Sequence, residues 1–194
     1  MTILYSDRDI AVCIKPVGLD SEAEVPGKLK ELLGGEVFPI HRLDKNVGGV
    51  MVYARNPDAA AQLSRLIGQG DMVKEYIARV HGDVPPEGDW EDLLFKDSRK
   101  NKVFVVKRKR AGVKAARLTF VRLSGGEMSD VQIRLYTGRS HQIRVQFASR
   151  GYPLAGDGKY GAKDGIKAPM LYSFRITFPW KGAQMQFTHR PDWL

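Results

Sequence analysis

Apolar and polar residues alternate loosely over residues 3–14, and the pattern predicts a first strand. Lys15-Pro16-Val17-Gly18 ends it in an extended turn, since proline fixes φ and glycine releases it. Lys28 to Leu33 predicts a short helix closed by Gly34-Gly35. The apolar run Gly49 to Ala54 predicts a buried strand. Asn56-Pro57-Asp58 starts a helix, with an Asn cap, Pro at the first position and a carboxylate near the positive end of the dipole. Ala59, Ala60, Leu63 and Leu66 form its inner stripe, and Gly68 its end. Val73 to His81 predicts a strand with Tyr76, Ala78 and Val80 on one face and Glu75, Ile77 and Arg79 on the other.

Beyond this, Val84 to Gly88 is expected to be a loop. Val103 to Val106 and its surroundings predict strands joined by a basic turn, Lys107-Arg108-Lys109-Arg110. Leu118 to Leu123 and Val131 to Leu135 predict paired strands around Ser124-Gly125-Gly126. Ser140 is placed to cap a helix from His141 to Arg150, with Ile143 and Phe147 on one face and Gly151 just past its end. Leu171 to Phe178 is the expected last strand. Strands outnumber helices and several are joined by hairpin-like turns. The pattern predicts an α+β domain with a mixed, largely antiparallel central sheet. With no internal repeat, low-complexity tract or boundary, residues 1–194 read as a single domain.

Composition narrows the class. A hydrophobic share of 43% argues against global disorder, and 194 residues suffice for one domain with a sizeable core. The net charge of +9 favours a polyanionic partner such as RNA, DNA or an acidic membrane over a protein that is basic only for solubility. The lone Cys13, in an apolar run, excludes an internal disulfide and a cysteine zinc site. Early charges at Asp7, Arg8 and Asp9 argue against a signal peptide, and no apolar run is long enough to span a bilayer, so the cytoplasm is the expected location. His41, His81, His141 and His189 lack metal-ligand spacing, and no phosphate-cradling loop is present. No metal or cofactor is implied.

Two segments can carry chemistry. In His41-Arg42-Leu43-Asp44 a single carboxylate sits among basic neighbours, ahead of Gly48 and Gly49, which let the backbone approach a ligand. An ionised carboxylate can act as nucleophile, general base or metal ligand. In Thr137-Gly138-Arg139-Ser140-His141-Gln142-Ile143-Arg144, Arg139 and Arg144 can bind phosphate while His141 and Gln142 orient neighbours. Taken singly, each has a plainer structural alternative: a surface Asp paired with Arg42 or Lys45, and an ordinary strand-to-helix turn. Arg99 to Arg117 carries nine Lys and Arg and no acid, which makes it a phosphate-contact candidate as well as a solvated face. Tyr76 can stack on a base, a contact worth roughly 1–3 kcal/mol, or serve as half-buried packing.

In this order, the segments resemble the pseudouridine synthases of the RluA family over nearly the whole chain. The resemblance rests on Ile3 to Gly18 with its Lys15-Pro16 turn, on His41-Arg42-Leu43-Asp44, on Lys74-Glu75-Tyr76, on Gly138 to Arg144, and on Gly156-Asp157-Gly158-Lys159-Tyr160-Gly161. It implies the pseudouridine synthase fold and conversion of uridine to pseudouridine in RNA, ribosomal or transfer, without metal or cofactor. The uridine is flipped from its stack, Asp attacks at C1′ or C6, the N-glycosidic bond breaks, and the base rejoins through C5. Asp44 would be the nucleophile. Tyr76 would cover the base and take the C5 proton, and Arg139 would pair with Asp44 and stabilise the flipped state. His41, Arg42, His141 and Arg144 fall with the substrate-binding positions, and Leu171 would line the pocket.

Two departures stand out. Val47-Gly48-Gly49 replaces the family's usual Thr-Ser-Gly, so the loop after Asp44 is expected to be held differently. Gln146 replaces the His that ends the second signature. The resemblance covers the catalytic domain and no S4 RNA-binding domain is expected ahead of it, so RNA is expected to be gripped by the domain itself, through Lys107, Arg108, Lys109 and Arg110. A monomer is expected. The alternative is a non-catalytic RNA-binding protein on the same fold. An aspartate-dependent glycoside hydrolase would want a second carboxylate near Asp44, and none presents itself.

Overall fold

The alternation over residues 3–14 belongs to two strands rather than one. In the computed structural model, which describes residues 1–194, β1 (Thr2–Ser6) and β2 (Ile10–Lys15) pair antiparallel. Asp7 forms the turn between them, its Oδ1 accepting from the N–H groups of Asp9 and Ile10 at 2.8 and 2.7 Å. A side-chain turn of this kind leaves little break in hydrophobicity, so the alternation runs through it. Helix α1 (Glu24–Leu33) begins at Glu24 rather than Lys28. Asp20 accepts from the N–H groups of Glu22 and Ala23, and Glu24 reaches back to the N–H of Asp20, a reciprocal cap that starts the helix early.

The two-residue β3 (Phe38–Pro39) leads into the Asp44 segment and β4 (Gly48–Ala54) leads out of it. Every residue of β4 is buried, as an unbroken apolar strand requires. Helix α2 (Pro57–Gln69) starts where expected, with Asn56 Oδ1 accepting from the Ala59 N–H at 2.8 Å. It continues past Gly68 to Gly70, the residue that adopts the left-handed conformation. Then follow β5 (Val73–His81), β6 (Glu87–Asp97), β7 (Lys102–Val106), β8 (Val113–Ser124) and β9 (Met128–Leu135). Helix α3 (Gln142–Ala148), a 3-10 turn (Gly158–Tyr160), β10 (Leu171–Trp180) and β11 (Ala183–Thr188) complete the chain. The sequence reading does not include β11. Lys181 and Gly182, at φ 50° and 82°, make the tight hairpin that returns it onto β10.

The elements gather into two compact units. In the first, Met1–Lys74 with Tyr172–Leu194, the strand order is β1-β2-β4-β10, with β11 on β10 and β3 on β4. Its ladders are antiparallel except β4–β10, which is parallel. Ile10, Val12, Val50, Val52, Leu63, Ile176 and Phe178 form its core. In the second, Glu75–Leu171, the order is β5-β9-β8-β6-β7, with antiparallel ladders from β9 to β7. Trp90, Phe120 and Phe147 stack there with centroids 4.5 to 5.3 Å apart and seat α3 on the strands. This is the expected α+β fold of mixed, largely antiparallel strands. No helix is long and apolar enough to cross a membrane.

Gly49 is where β4 and β10 come closest. Its φ is +123°, and a Cβ there would lie 2.3 Å from the Ser173 carbonyl oxygen. Gly68, inside α2, has open space around it. Gly49→Ala is therefore expected to lower stability in urea by more than about 2 kcal/mol, and Gly68→Ala to raise it by about 0.5–1 kcal/mol.

Candidate active site

The loop that carries Asp44 is pinned from below in the first unit. Lys15, fully buried at the end of β2, donates from Nζ to the carbonyl oxygens of Pro16 (3.0 Å) and Lys45 (3.1 Å). The Gly18 N–H also donates to Lys45 O, at 2.8 Å. Ser21 clamps the preceding residue on both sides: its hydroxyl donates to Leu43 O at 2.9 Å and accepts from the Leu43 N–H at 3.1 Å. The Val47 N–H closes the turn onto Asp44 O at 2.9 Å. Burial holds the Lys15 ammonium down to a pKa of about 8, against the opposing pull of Asp20, Asp44 and Glu24.

The plain alternative for Asp44, pairing with its neighbouring cations, is not what those cations do. Arg42 reaches Glu22 at 2.7 Å and Lys45 reaches Glu24 at 3.2 Å. Asp44 itself is half-buried. The loop is held without the family's usual hydroxyls, as expected. Val47 is an apolar plug, 2% exposed, and a Cβ at Gly48 would sit 3.2 Å from Lys15 O and 3.4 Å from the Tyr172 ring. Close packing replaces hydrogen bonding behind the Asp.

His41 is structural. Its Nε2 accepts from the Val52 N–H at 3.3 Å, extending the β3–β4 ladder beyond Pro39 and Tyr53. That role requires the neutral ring. Burial, helped by the charge of Lys74, pushes its pKa down to about 3. His41 thus acts as a backbone staple on the loop of Asp44.

In the second unit the segment after β9 is organised by Gln142. Its Oε1 accepts from the Arg139 N–H at 3.0 Å and the Thr137 hydroxyl at 2.8 Å, while its Nε2 donates to Arg117 O at 3.1 Å. Gln142 thus orients its neighbours as expected. Ser140 does not cap the helix. His141 takes the cap position in the left-handed conformation, and α3 ends at Ala148 rather than Arg150. Arg139 is exposed, and its Nε donates to Ala115 O at 2.9 Å.

Arg144 is turned away from solvent. It grips the buried Asp157 through two bonds of 2.6 and 2.8 Å. His141 Nδ1 lies 2.8 Å from the Tyr160 hydroxyl, which also accepts from the Val103 N–H at 2.9 Å. The Gly138 to Arg144 segment and the Gly156 to Gly161 turn are therefore fastened together by two side-chain pairs. In place of the expected phosphate contact, Arg144 has a buried partner that can be inferred only once the chain is folded. Asp157 and Tyr160 are structural partners to which the sequence assigned no role. Their only signal is their place in the Gly-Asp-Gly-Lys-Tyr-Gly turn.

Tyr76 is 6% exposed on β5, and Leu171 is 8% exposed at the start of β10. Lys107, Arg108, Lys109 and Arg110 are all exposed in the turn between β7 and β8, with the Arg110 guanidinium 4.6 Å from the Phe95 ring centroid. Gln146, the second departure, is buried and donates from Nε2 to Asp92 at 2.7 Å. It anchors α3 to β6.

The sequence profile of the family described as RNA pseudouridylate synthase matches residues 9–149. The chain belongs to the RluA family of RNA pseudouridine synthases. It is 33% identical to an uncharacterized RNA pseudouridine synthase of Aquifex aeolicus, over 96% of this chain and 68% of that protein. It is 32% identical to the dual-specificity RNA pseudouridine synthase RluA of Escherichia coli, over 99% and 94%. The solved structure of human RNA pseudouridylate synthase domain containing 1 superposes with a TM-score of 0.88 at 23% identity, over 100% of this chain and 84% of that one, and shares the fold. As an RluA-family protein the chain is an RNA pseudouridine synthase.

The neutral His41 gives this arrangement a pH signature. The unfolded chain binds a proton near pH 6.5 that the folded ring refuses down to about 3. The stability contributed by His41 is therefore complete above pH 6.5 and is lost as pH falls toward 3. In chemical denaturation, the stability gap between wild type and His41→Asn is expected to be constant from pH 7 to 8. Below pH 6.5 it should narrow by up to about 1.4 kcal/mol per pH unit.

Proposed function

We propose that Asp44 is the nucleophile of this RNA pseudouridine synthase, acting on a uridine flipped out of structured RNA, ribosomal or transfer. The observation that carries the reading is the Asp44 loop. Its backbone is fixed by Lys15, Ser21 and Gly18, and the adjacent Arg42 and Lys45 are engaged by carboxylates of their own. A carboxylate carried at one position by a fixed backbone suits in-line attack on a bound nucleotide.

The reaction is an isomerisation, so nothing enters or leaves the RNA apart from protons exchanged with solvent. The carboxylate forms a bond to the nucleotide, the C1′–N1 bond breaks, and the base turns. C5 then bonds to C1′ and gives up its proton, N1 gains one, and the Asp44 bond is released. Tyr76 covers the turning base and takes the C5 proton. Flipping costs a few kcal/mol, and Arg139, exposed on its Gln142-braced loop, offsets that cost by engaging the flipped state. Leu171 supplies apolar lining. The exposed Lys107 to Arg110 turn holds RNA phosphates. The name of the Escherichia coli relative, which declares two specificities, supports a site that accepts more than one RNA.

Asp44→Asn is expected to cut pseudouridine formation by at least about 10³-fold while leaving RNA affinity within about threefold. Tritium release and filter binding would measure the two, and full turnover in the variant would sink the assignment. Replacing Lys107, Arg108, Lys109 and Arg110 by Ala should weaken RNA binding and flatten the plot of log K against log salt by about 2–3 units. An unchanged slope would remove the turn from the interface.

A further inference from the structure

A second cationic site lies on the strands of the second unit, apart from the Lys107 to Arg110 turn. A cleft of about 170 Å³ is lined by Leu94, Val103, Lys96, Lys114, Gly138 and Arg139, among others. The register of the strands explains how it arises. Leu94 pairs with Lys114 across β6 and β8, and Lys96 pairs with Val103 across β6 and β7. Leu94 and Lys96 are two residues apart on β6 and so share a face. Two buried apolar residues thus form a floor between two exposed lysines.

Four of the acids on β6 are committed elsewhere, and Glu87 sits at its far end, opposite Val121. Asp89 and Glu91 face Arg117, Asp92 faces Arg150, and Asp97 accepts from the backbone N–H groups of Arg99 and Lys100. Lys96, Lys114 and Arg139 therefore edge one cleft with no carboxylate between them. Arg139 is further fixed by its Nε bond to Ala115 O, which leaves the two amino ends of the guanidinium as donors for the oxygens of an anion. Three like charges edging a half-apolar cleft attract an anion into it. At about 30 Å³ per water, its volume is that of several waters, room for a phosphate and part of the sugar it carries.

We propose that this cleft binds a backbone phosphate of the RNA next to the flipped uridine, with Lys96 and Lys114 contacting the phosphate oxygens and Leu94 and Val103 packing against the attached ribose. The proposal rests on the reading of Arg139 as the residue that engages the flipped nucleotide, because the cleft is built around that side chain. Lys96 and Lys114 become specificity-determining residues that fix the register of the strand passing through the site.

The test is RNA binding in the Asp44→Asn background, where chemistry plays no part. Lys96→Gln with Lys114→Gln is expected to weaken binding about tenfold and to reduce the salt slope by about 1–2 units, as loss of two phosphate contacts requires. Lys96→Arg with Lys114→Arg should restore both, which separates lost charge from a damaged fold. The control pair Lys163→Gln with Lys167→Gln, exposed but outside the cleft, should change the slope by less than half as much. In protein with Asp44 intact, the Gln pair should raise KM with kcat at saturating RNA kept within about twofold. An unchanged slope, or an equal loss in the control pair, would overturn the proposal whether or not Asp44 proves to be the nucleophile. Turnover retained by Asp44→Asn would overturn the nucleophile assignment and leave the cleft result standing.

Discussion

A buried ammonium under the Asp44 loop is the interaction on which this part of the structure depends. Lys15 is withdrawn from water at the end of β2, where an unpaired charge would cost several kcal/mol. Its two carbonyl bonds offset that cost, and one of them, to Lys45, fixes the residue after Asp44. The backbone around Asp44 is therefore set in part by a buried charge. Desolvation brings the Lys15 pKa to about 8, so this buried charge is held close to the edge of ionisation.

The second unit repeats the logic with different groups. Arg144 and Asp157 form a buried bidentate pair, and His141 meets Tyr160 beside it. These contacts tie a signature segment to a glycine-rich turn and leave Arg139 on an outward loop braced by Gln142. Breaking such a pair on one side strands a buried charge, at a cost of about 3–5 kcal/mol. In both units buried charged residues hold backbone position, under the half-buried Asp44 in one and beside the exposed Arg139 in the other.

Local chemistry was legible in the sequence wherever it decided the structure. Asn56-Pro57 marks the start of α2 because cap and first-turn preferences are satisfied within four residues, and the apolar run of β4 reads as buried because it is buried throughout. Hairpins read less well. The Asp7 turn and the Lys181-Gly182 turn lack the usual strong turn pairs, so one strand appeared where there are two and β11 was missed. Site residues divide along the same line. Asp44 and Arg139 stand out by motif, but His41 and Arg144 looked like ligands because a cation in a signature gives no hint of burial. Only the fold supplies the Val52 N–H and Asp157 as their partners. Val47 and Gly48, read as the loss of two hydroxyls, are instead the close packing that the Lys15 carbonyl and the Tyr172 ring require.

The central claim is that Asp44, held by this loop, bonds covalently to the nucleotide. RNA carrying 5-fluorouridine at the target position, incubated with the wild-type protein and digested for mass spectrometry, tests it most directly. The account predicts one RNA-linked peptide, the one containing Leu43-Asp44, absent from Asp44→Asn. An adduct mapped to another residue, or none from protein that converts ordinary uridine, would contradict it.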